Sequence, residues 1–267
     1  MIRDITIGQY YKADSVIHRL DPRVKLMGTL IFIISLFMGM NIWIYAVVTV
    51  TLAVVIKMSR IPLKFMVRGL KSIVILIIIS AVFNLFLTPG DVLIQIWKLT
   101  ITYQGLKMAI FMVVRLIYLI VGTSLMTLTT TPNNLTDGLE KGLGFLKVIK
   151  VPVHEIAMMM SIALRFIPIL IEETDKIMKA QMARGADFEN GSIIRRAKAM
   201  VPILVPLFVS AFRRANELAM AMEARCYHGS EGRTKMKPLK YEKRDRIAYI
   251  SMVLYLGVII IVKIIAA

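Results

Sequence analysis

Residues 26–56 read LMGTLIFIISLFMGMNIWIYAVVTVTLAVVI, 31 consecutive positions without a charged side chain. A core helix of a soluble protein is apolar over about 10–14 residues, and one bilayer crossing takes about 20. The run is too long for the first and half as long again as the second requires. It is either one steeply tilted helix or a tight hairpin of two short ones. Gly39 and Asn41 are turn-forming residues near its middle, which favours helices at about 26–39 and 42–57. Further apolar stretches lie at about 72–88, closed by Pro89-Gly90, at 105–129, closed by Thr129-Thr130-Thr131-Pro132-Asn133, and at 246–265. The expected fold class is all-α, with five membrane spans and a cytoplasmic domain of long helices.

Basic residues give the orientation. Lys and Arg number five in residues 1–25, five in 57–71 and twenty in 130–246, against one in 89–104 and none at the 40–41 turn. Cytoplasmic loops carry the Lys/Arg excess. The distribution therefore predicts a cytoplasmic amino-terminal segment (1–25), membrane spans within 26–131, a cytoplasmic region (132–245) and a final span within 246–267 that ends outside. The net charge is +17 although 57% of residues are hydrophobic. Both fit one chain when apolar segments lie in lipid and basic ones face anionic lipid or an acidic partner. No nucleic-acid motif accompanies the charge, so nucleic acid is not expected as a partner. Cys226 is the sole cysteine, which leaves no internal disulfide. The opening residues lack the pattern of a cleaved signal.

Within 132–245 the pattern is helical. Asn133-Asn134 is a candidate cap for a short helix, Leu135–Leu146. A long helix is expected from Pro152 to Arg184, where Gly185 can close it, and a second from about Ser192 to Arg225, with Pro168, Pro202 and Pro206 inside them. These segments read as too mixed to span lipid and too apolar to stand free in water. Glu172/Lys176 and Arg213/Glu217 have the i,i+4 spacing of a solvated face. Met158, Met159, Met160, Met178, Met182, Met220 and Met222, with Met200, supply an adaptable apolar surface that either fills a helical core or packs on a partner.

Two helix ends nearly repeat. Ala183-Arg184-Gly185 closes the first long helix and Ala224-Arg225-Cys226 the second, 41 residues later. An arginine beside a small residue at a helix carboxyl end suits the helix dipole and can pair bidentately with a carboxylate. Either the two are independent caps, or two matching cations meet a twofold partner. Arg115 lies inside the fourth span, where a charge is expensive, so it is expected to face the bundle or a polar partner.

Three stretches together resemble the transmembrane coupling subunit, or T component, of energy-coupling factor transporters, the ATP-driven importers of vitamins and of cobalt or nickel ions. They are Asp14-Ser15-Val16-Ile17-His18-Arg19-Leu20-Asp21-Pro22-Arg23-Val24-Lys25-Leu26, Ala163-Leu164-Arg165-Phe166-Ile167-Pro168 with Glu172-Glu173, and the pair of A-R-G-type motifs. The resemblance implies long coupling helices that reach two ABC-type ATPase subunits, docking through Arg184 and Arg225. It also implies a substrate-binding membrane subunit, the S component, held by the membrane helices, and ATP and Mg bound by the ATPases with no cofactor in this chain. Cys226 departs from the glycine of that pattern, which leaves a left-handed cap there open. No G-x-x-x-x-G-K-[ST] run is present to cradle phosphates, and His18, His154 and His228 lack metal-ligand spacing. The competing readings are a membrane-embedded enzyme, against which the acid-free spans argue, and a passive scaffold whose basic region binds anionic lipid or ribosomal RNA.

Overall fold

A computed structural model describes residues 10–71, 73–96, 99–188, 192–229, 236 and 238–265. Arg3, Lys98, Arg233, Lys235 and Lys237, counted above for orientation, lie outside the described residues. The elements run α1 (Pro22–Phe37), α2 (Ile42–Ser59), α3 (Leu63–Lys71), α4 (Val74–Leu87), β1 (Val92–Ile96), β2 (Leu99–Thr102), α5 (Tyr103–Thr129), α6 (Pro132–Gly142), a 3-10 turn (Gly144–Ile149), α7 (Val153–Ala183), α8 (Ile193–Ala224) and α9 (Lys243–Ile265). By packing, the chain forms two compact units, residues 8–138 with 239–267, and residues 139–238.

The long apolar run is two helices. Asp21 caps α1 by accepting from Arg23 N, Pro22 stands at its first turn, and α1 ends at Phe37. Asn41 caps α2, its side chain accepting from Trp43 N at 3.1 Å. Four helices among the described residues, α2, α5, α7 and α9, are long and apolar enough to cross a bilayer, while α3 and α4 reach that standard only as a bent pair. Two differences from the sequence expectation follow. α1 has 16 residues and α4 has 14, about 24 and 21 Å at 1.5 Å per residue, against a hydrocarbon core of about 30 Å. And α7, expected to be too mixed for lipid, qualifies. Its charges crowd into its second half (Glu172, Glu173, Asp175, Lys176, Lys179), leaving only Glu155 and Arg165 in 153–171.

In the unit of 8–138 and 239–267, α1 packs between α5 and α9 at glycines. A Cβ on Gly122 would meet the Phe32 ring at 2.4 Å, and one on Gly28 would meet Met252 at 2.5 Å. Two apolar clusters fill the bundle. One holds Leu52, Ile61, Met66, Val121, Leu125 and Leu128, the other Leu36, Ile44, Tyr45, Val48 and Ile259. The segment between α4 and α5 is an antiparallel hairpin, Val92 opposite Thr102 and Ile96 opposite Leu99. Thr102 ties it in place by donating to Thr88 O at 2.9 Å and accepting from Gly105 N at 3.0 Å.

The D-P-R end of the first motif belongs to a buried polar knot. Asp245, 2% exposed, accepts from Asp21 N at 2.9 Å through one oxygen and from Glu242 N at 2.8 Å through the other. Arg23 forks onto Asp21 and lies 3.8 Å from the centre of the Tyr241 ring. Lys25 Nζ donates to the carbonyls of His18 and Thr129, at 3.1 and 2.8 Å. His18 in turn is held by Ser15 Oγ at 2.7 Å and Tyr11 O at 3.0 Å.

Candidate functional site

The unit of residues 139–238 is built on α7 and α8. α7 begins after Pro152 and runs through Pro168 to Ala183. α8 runs through Pro202 and Pro206 to Ala224. The short helix before them starts earlier than expected. Thr131 Oγ accepts from Asn134 N at 3.3 Å and Pro132 takes the first helical position, so Thr131 rather than Asn133 or Asn134 is the cap. It ends at Gly142, with the remainder of 135–146 passing into the 3-10 turn.

The two A-x-x-A-R ends are the same structure. At the first, Gly185 N donates to Met182 O at 2.9 Å and Ala186 N to Gln181 O at 3.0 Å. At the second, Cys226 N donates to Glu223 O at 2.9 Å and Tyr227 N to Met222 O at 3.0 Å. This crossed pair of bonds is the Schellman motif, which requires a left-handed residue directly after the cap. Gly185 supplies it with φ +89 and Cys226 with φ +54. The cysteine therefore adopts the left-handed cap that glycine takes in the other copy. Arg184 and Arg225 are the equivalent capping residues. Both are exposed, and among the described residues neither guanidinium has a hydrogen bond or ion pair. Ala183 and Ala224 beside them are also exposed, which leaves little bulk around either cation.

None of the eight methionines singled out on α7 and α8 is buried. Met158, Met178 and Met222 are half-buried, and Met159, Met160, Met182, Met200 and Met220 are exposed. They do not fill a core within this unit. They extend a larger apolar surface that the methionine count alone does not reveal. On α8, Met200, Leu204, Phe208 and Phe212 follow at i,i+4 and are all exposed, with the last two rings stacked at 6.5 Å. Their four-residue period is the signal that could have found them.

The side chains that join α7 to α8 were not legible either. Arg214 Nη2 donates to Glu173 at 2.8 Å across 41 residues. Arg214 also borders an apolar cleft of about 300 Å³ lined by Ile162, Phe166, Leu170, Leu218 and Met222. Arg213 and Glu217 form the exposed i,i+4 pair expected of them, at 3.7 Å, whereas Glu172 and Lys176 make no ion pair with each other. His154, in the first turn of α7, bonds Glu140 at 2.8 Å. Arg115 stands in the other unit. It is buried at 7% exposure, and its Nε donates to Tyr45 Oη at 3.0 Å.

Apolar helices long enough to cross the membrane several times, with no sheet beyond one hairpin among the described residues, define an all-α multi-pass membrane protein. Residues 13–236 match the family model CbiQ, described as a cobalt transport protein. The chain is 57% identical over 250 residues to the energy-coupling factor transporter transmembrane protein EcfT of Clostridium kluyveri, covering 93% of each chain. It is 56% identical over 250 residues to EcfT of Thermosediminibacter oceani, covering 94% of each. Identity to EcfT of Bacillus subtilis is 47% over 254 residues, or 95% of this chain and 96% of that one. The chain belongs to this family of membrane components of energy-coupling factor transporters, and so to a cell-membrane transport complex with other subunits.

Proposed function

We propose that this chain is the coupling subunit of an ATP-driven importer of a vitamin or other micronutrient. Two ABC-type ATPase subunits dock on Arg184 and Arg225, and a substrate-binding S component packs on the exposed apolar faces of α7 and α8. ATP and Mg are bound by the ATPases, and this chain does no chemistry. Its amino terminus is cytoplasmic and its carboxyl terminus outside, which brings the basic residues of 130–246 to the ATPase side. The observation that carries this reading is the duplicated cap: two exposed arginines, without an ion pair among the described residues, at identical backbone positions of two long helices. A twofold ATPase pair presents two equivalent grooves, and this chain presents two equivalent cations. Closing and opening of the ATPases then moves α7 and α8, and with them the S component.

The test is pull-down of the ATPase pair together with substrate uptake in the same cells. Truncating one member of a buried charge pair costs roughly 3–5 kcal/mol, about two to three orders of magnitude in affinity. Two anchors on one dimer back each other up through effective concentration. Arg184→Ala or Arg225→Ala alone should weaken uptake strongly and leave some complex. The double variant should release the ATPases, and Glu at either site should be worse than Ala. Wild-type assembly and uptake in the double alanine variant would leave these arginines as plain helix caps and move coupling to the apolar faces.

A further inference from the structure

Among the described residues, Arg115 is a buried cation in a membrane helix with no acidic partner. Arg115 lies midway along α5 with its Nε bonded to Tyr45 Oη and its guanidinium carbon 5.1 Å from the centre of the Phe37 ring. Among the described residues its two η nitrogens meet no acceptor. Composition offers none: α1, α2, α4 and α5 contain no Asp or Glu. Asp245, the only acid of α9, is engaged by two backbone amides in that helix's first turn. Asp91, before β1, is bonded to Gln104. A buried charge in a membrane protein without a partner is costly and marks a functional position.

Its depth can be worked out. Thr129 ends α5 at the level of the polar knot, bonded to Lys25 through its carbonyl. Arg115 lies fourteen residues earlier, about 21 Å along the helix at 1.5 Å per residue. Against a hydrocarbon core of about 30 Å this is the far side of the membrane, and a long stem carries the head further toward the interface. The neighbours agree. Phe37 ends α1 and Tyr45 lies in the first turn of α2, so both flank the α1–α2 turn. Trp43, 67% exposed, is of the type that collects at the membrane–water boundary. Lys263, in the last turn of α9, follows Val262, which packs on the same cluster as Tyr45. This end of the bundle presents cations to the headgroup level, and its helices supply no acid.

We propose that Arg115 forms the basic floor of a binding site for the phosphate of an anionic phospholipid, seated at the α1–α2 turn. The bond from Nε to Tyr45 fixes the plane of the guanidinium and leaves both η nitrogens for two phosphate oxygens, the bidentate geometry that suits arginine. Phe37, Met40, Ile42 and Trp43 are exposed beside it and give the glycerol and first acyl carbons an apolar seat. Open flanks favour a lipid over a carboxylate from a partner helix, because lipid at this level is always present. The inference depends on the membrane placement of these helices and not on the coupling role.

Native mass spectrometry of the full-length chain in mild detergent tests this, with phosphatidylglycerol, phosphatidylcholine and inorganic phosphate as probes. Wild type should retain one phosphatidylglycerol with about tenfold or greater preference over phosphatidylcholine, and Arg115→Gln should lose that preference. Inorganic phosphate should not displace the lipid. Tyr45→Phe leaves the η nitrogens in place but frees the plane of the guanidinium and should bind about two- to threefold more weakly, while Arg115→Lys should bind about three- to tenfold more weakly because an ammonium lacks the fork. The lysine variant keeps a cation in the bundle and decides the matter where the glutamine variant does not fold. Equal retention of both lipids by wild type, displacement by free phosphate, or undiminished phosphatidylglycerol on Arg115→Gln or Arg115→Lys would overturn the proposal. The last result would assign the cation to a carboxylate of another subunit.

Discussion

Replacing Asp245 with alanine should destabilise the membrane unit more than any conservative change in its apolar clusters. The carboxylate is 2% exposed and accepts one backbone N–H through each oxygen, Asp21 N at 2.9 Å and Glu242 N at 2.8 Å. Asp21 N is buried, and leaving it without a partner costs about 1–3 kcal/mol, while the part-buried Glu242 N, which water can reach, adds about 0.5–1 kcal/mol. Reduced by the desolvation that the carboxylate no longer suffers, about 2 kcal/mol is expected net. At about 2–4 °C per kcal/mol for a chain near this size, Asp245→Ala should melt about 4–8 °C below wild type in detergent. Asp245→Asn keeps the shape and one carbonyl oxygen, hence one of the two bonds, and should lose about half as much. Thermal unfolding of the purified variants measures both. The reasoning fails if asparagine is as damaging as alanine, since acceptor count would then not be what matters, or if alanine shifts the midpoint by less than about 1 °C.

Cys226 occupies a left-handed position at φ +54 with an ordinary side chain. Cys226→Gly should therefore raise the stability of the 139–238 unit by about 1 kcal/mol and Cys226→Val should lower it, as read by thermal unfolding. A glycine variant no more stable than wild type would show that the cap is not strained. Burial pushes the His18 imidazole below its ordinary value, and the Lys25 charge adds to this. A depressed folded value means that the neutral ring's stabilising contribution is complete above about pH 6.5 and is lost as pH falls through the folded value. The melting temperature of the wild type should drop as pH falls below about 6.5, and His18→Gln should flatten that slope. An unchanged slope would assign it to other groups.

The break of the long apolar run was readable because Asn41 caps locally, through its own side chain, and needs no distant partner. The ends of α7 and α8 were readable for the same reason, since a Schellman cap is decided within six residues. What could not be seen is what acts across distance. Asp245 looks like one more acid at the start of a basic span, and only the fold brings it to Asp21, 224 residues away. Arg214 and Glu173 each had nearer candidates on their own helices. The hairpin at 92–102 escaped because an apolar stretch of eleven residues with one lysine reads as a loop beside two long spans. The short helix starts earlier than its two asparagines suggest, because Thr131 caps it and Pro132 fits its first turn. The exposed ribbon of α8 rests on leucine and phenylalanine as well as methionine, and the four-residue period that reveals it is present in the sequence.

The knot around Asp245 has a bearing on biosynthesis. The amide of Asp21 reaches its carboxylate partner only after a further 224 residues have been made, which at about 5–20 residues per second takes about 10–45 s. Throughout that interval the first apolar helix is already emerging, its entry segment still lacking its acceptor. The bundle therefore cannot settle in order from one end to the other. It remains open until the last helix arrives and then closes on its own beginning, so a ribosome that stalls before residue 245 releases a chain whose fault lies at its start as well as at its end.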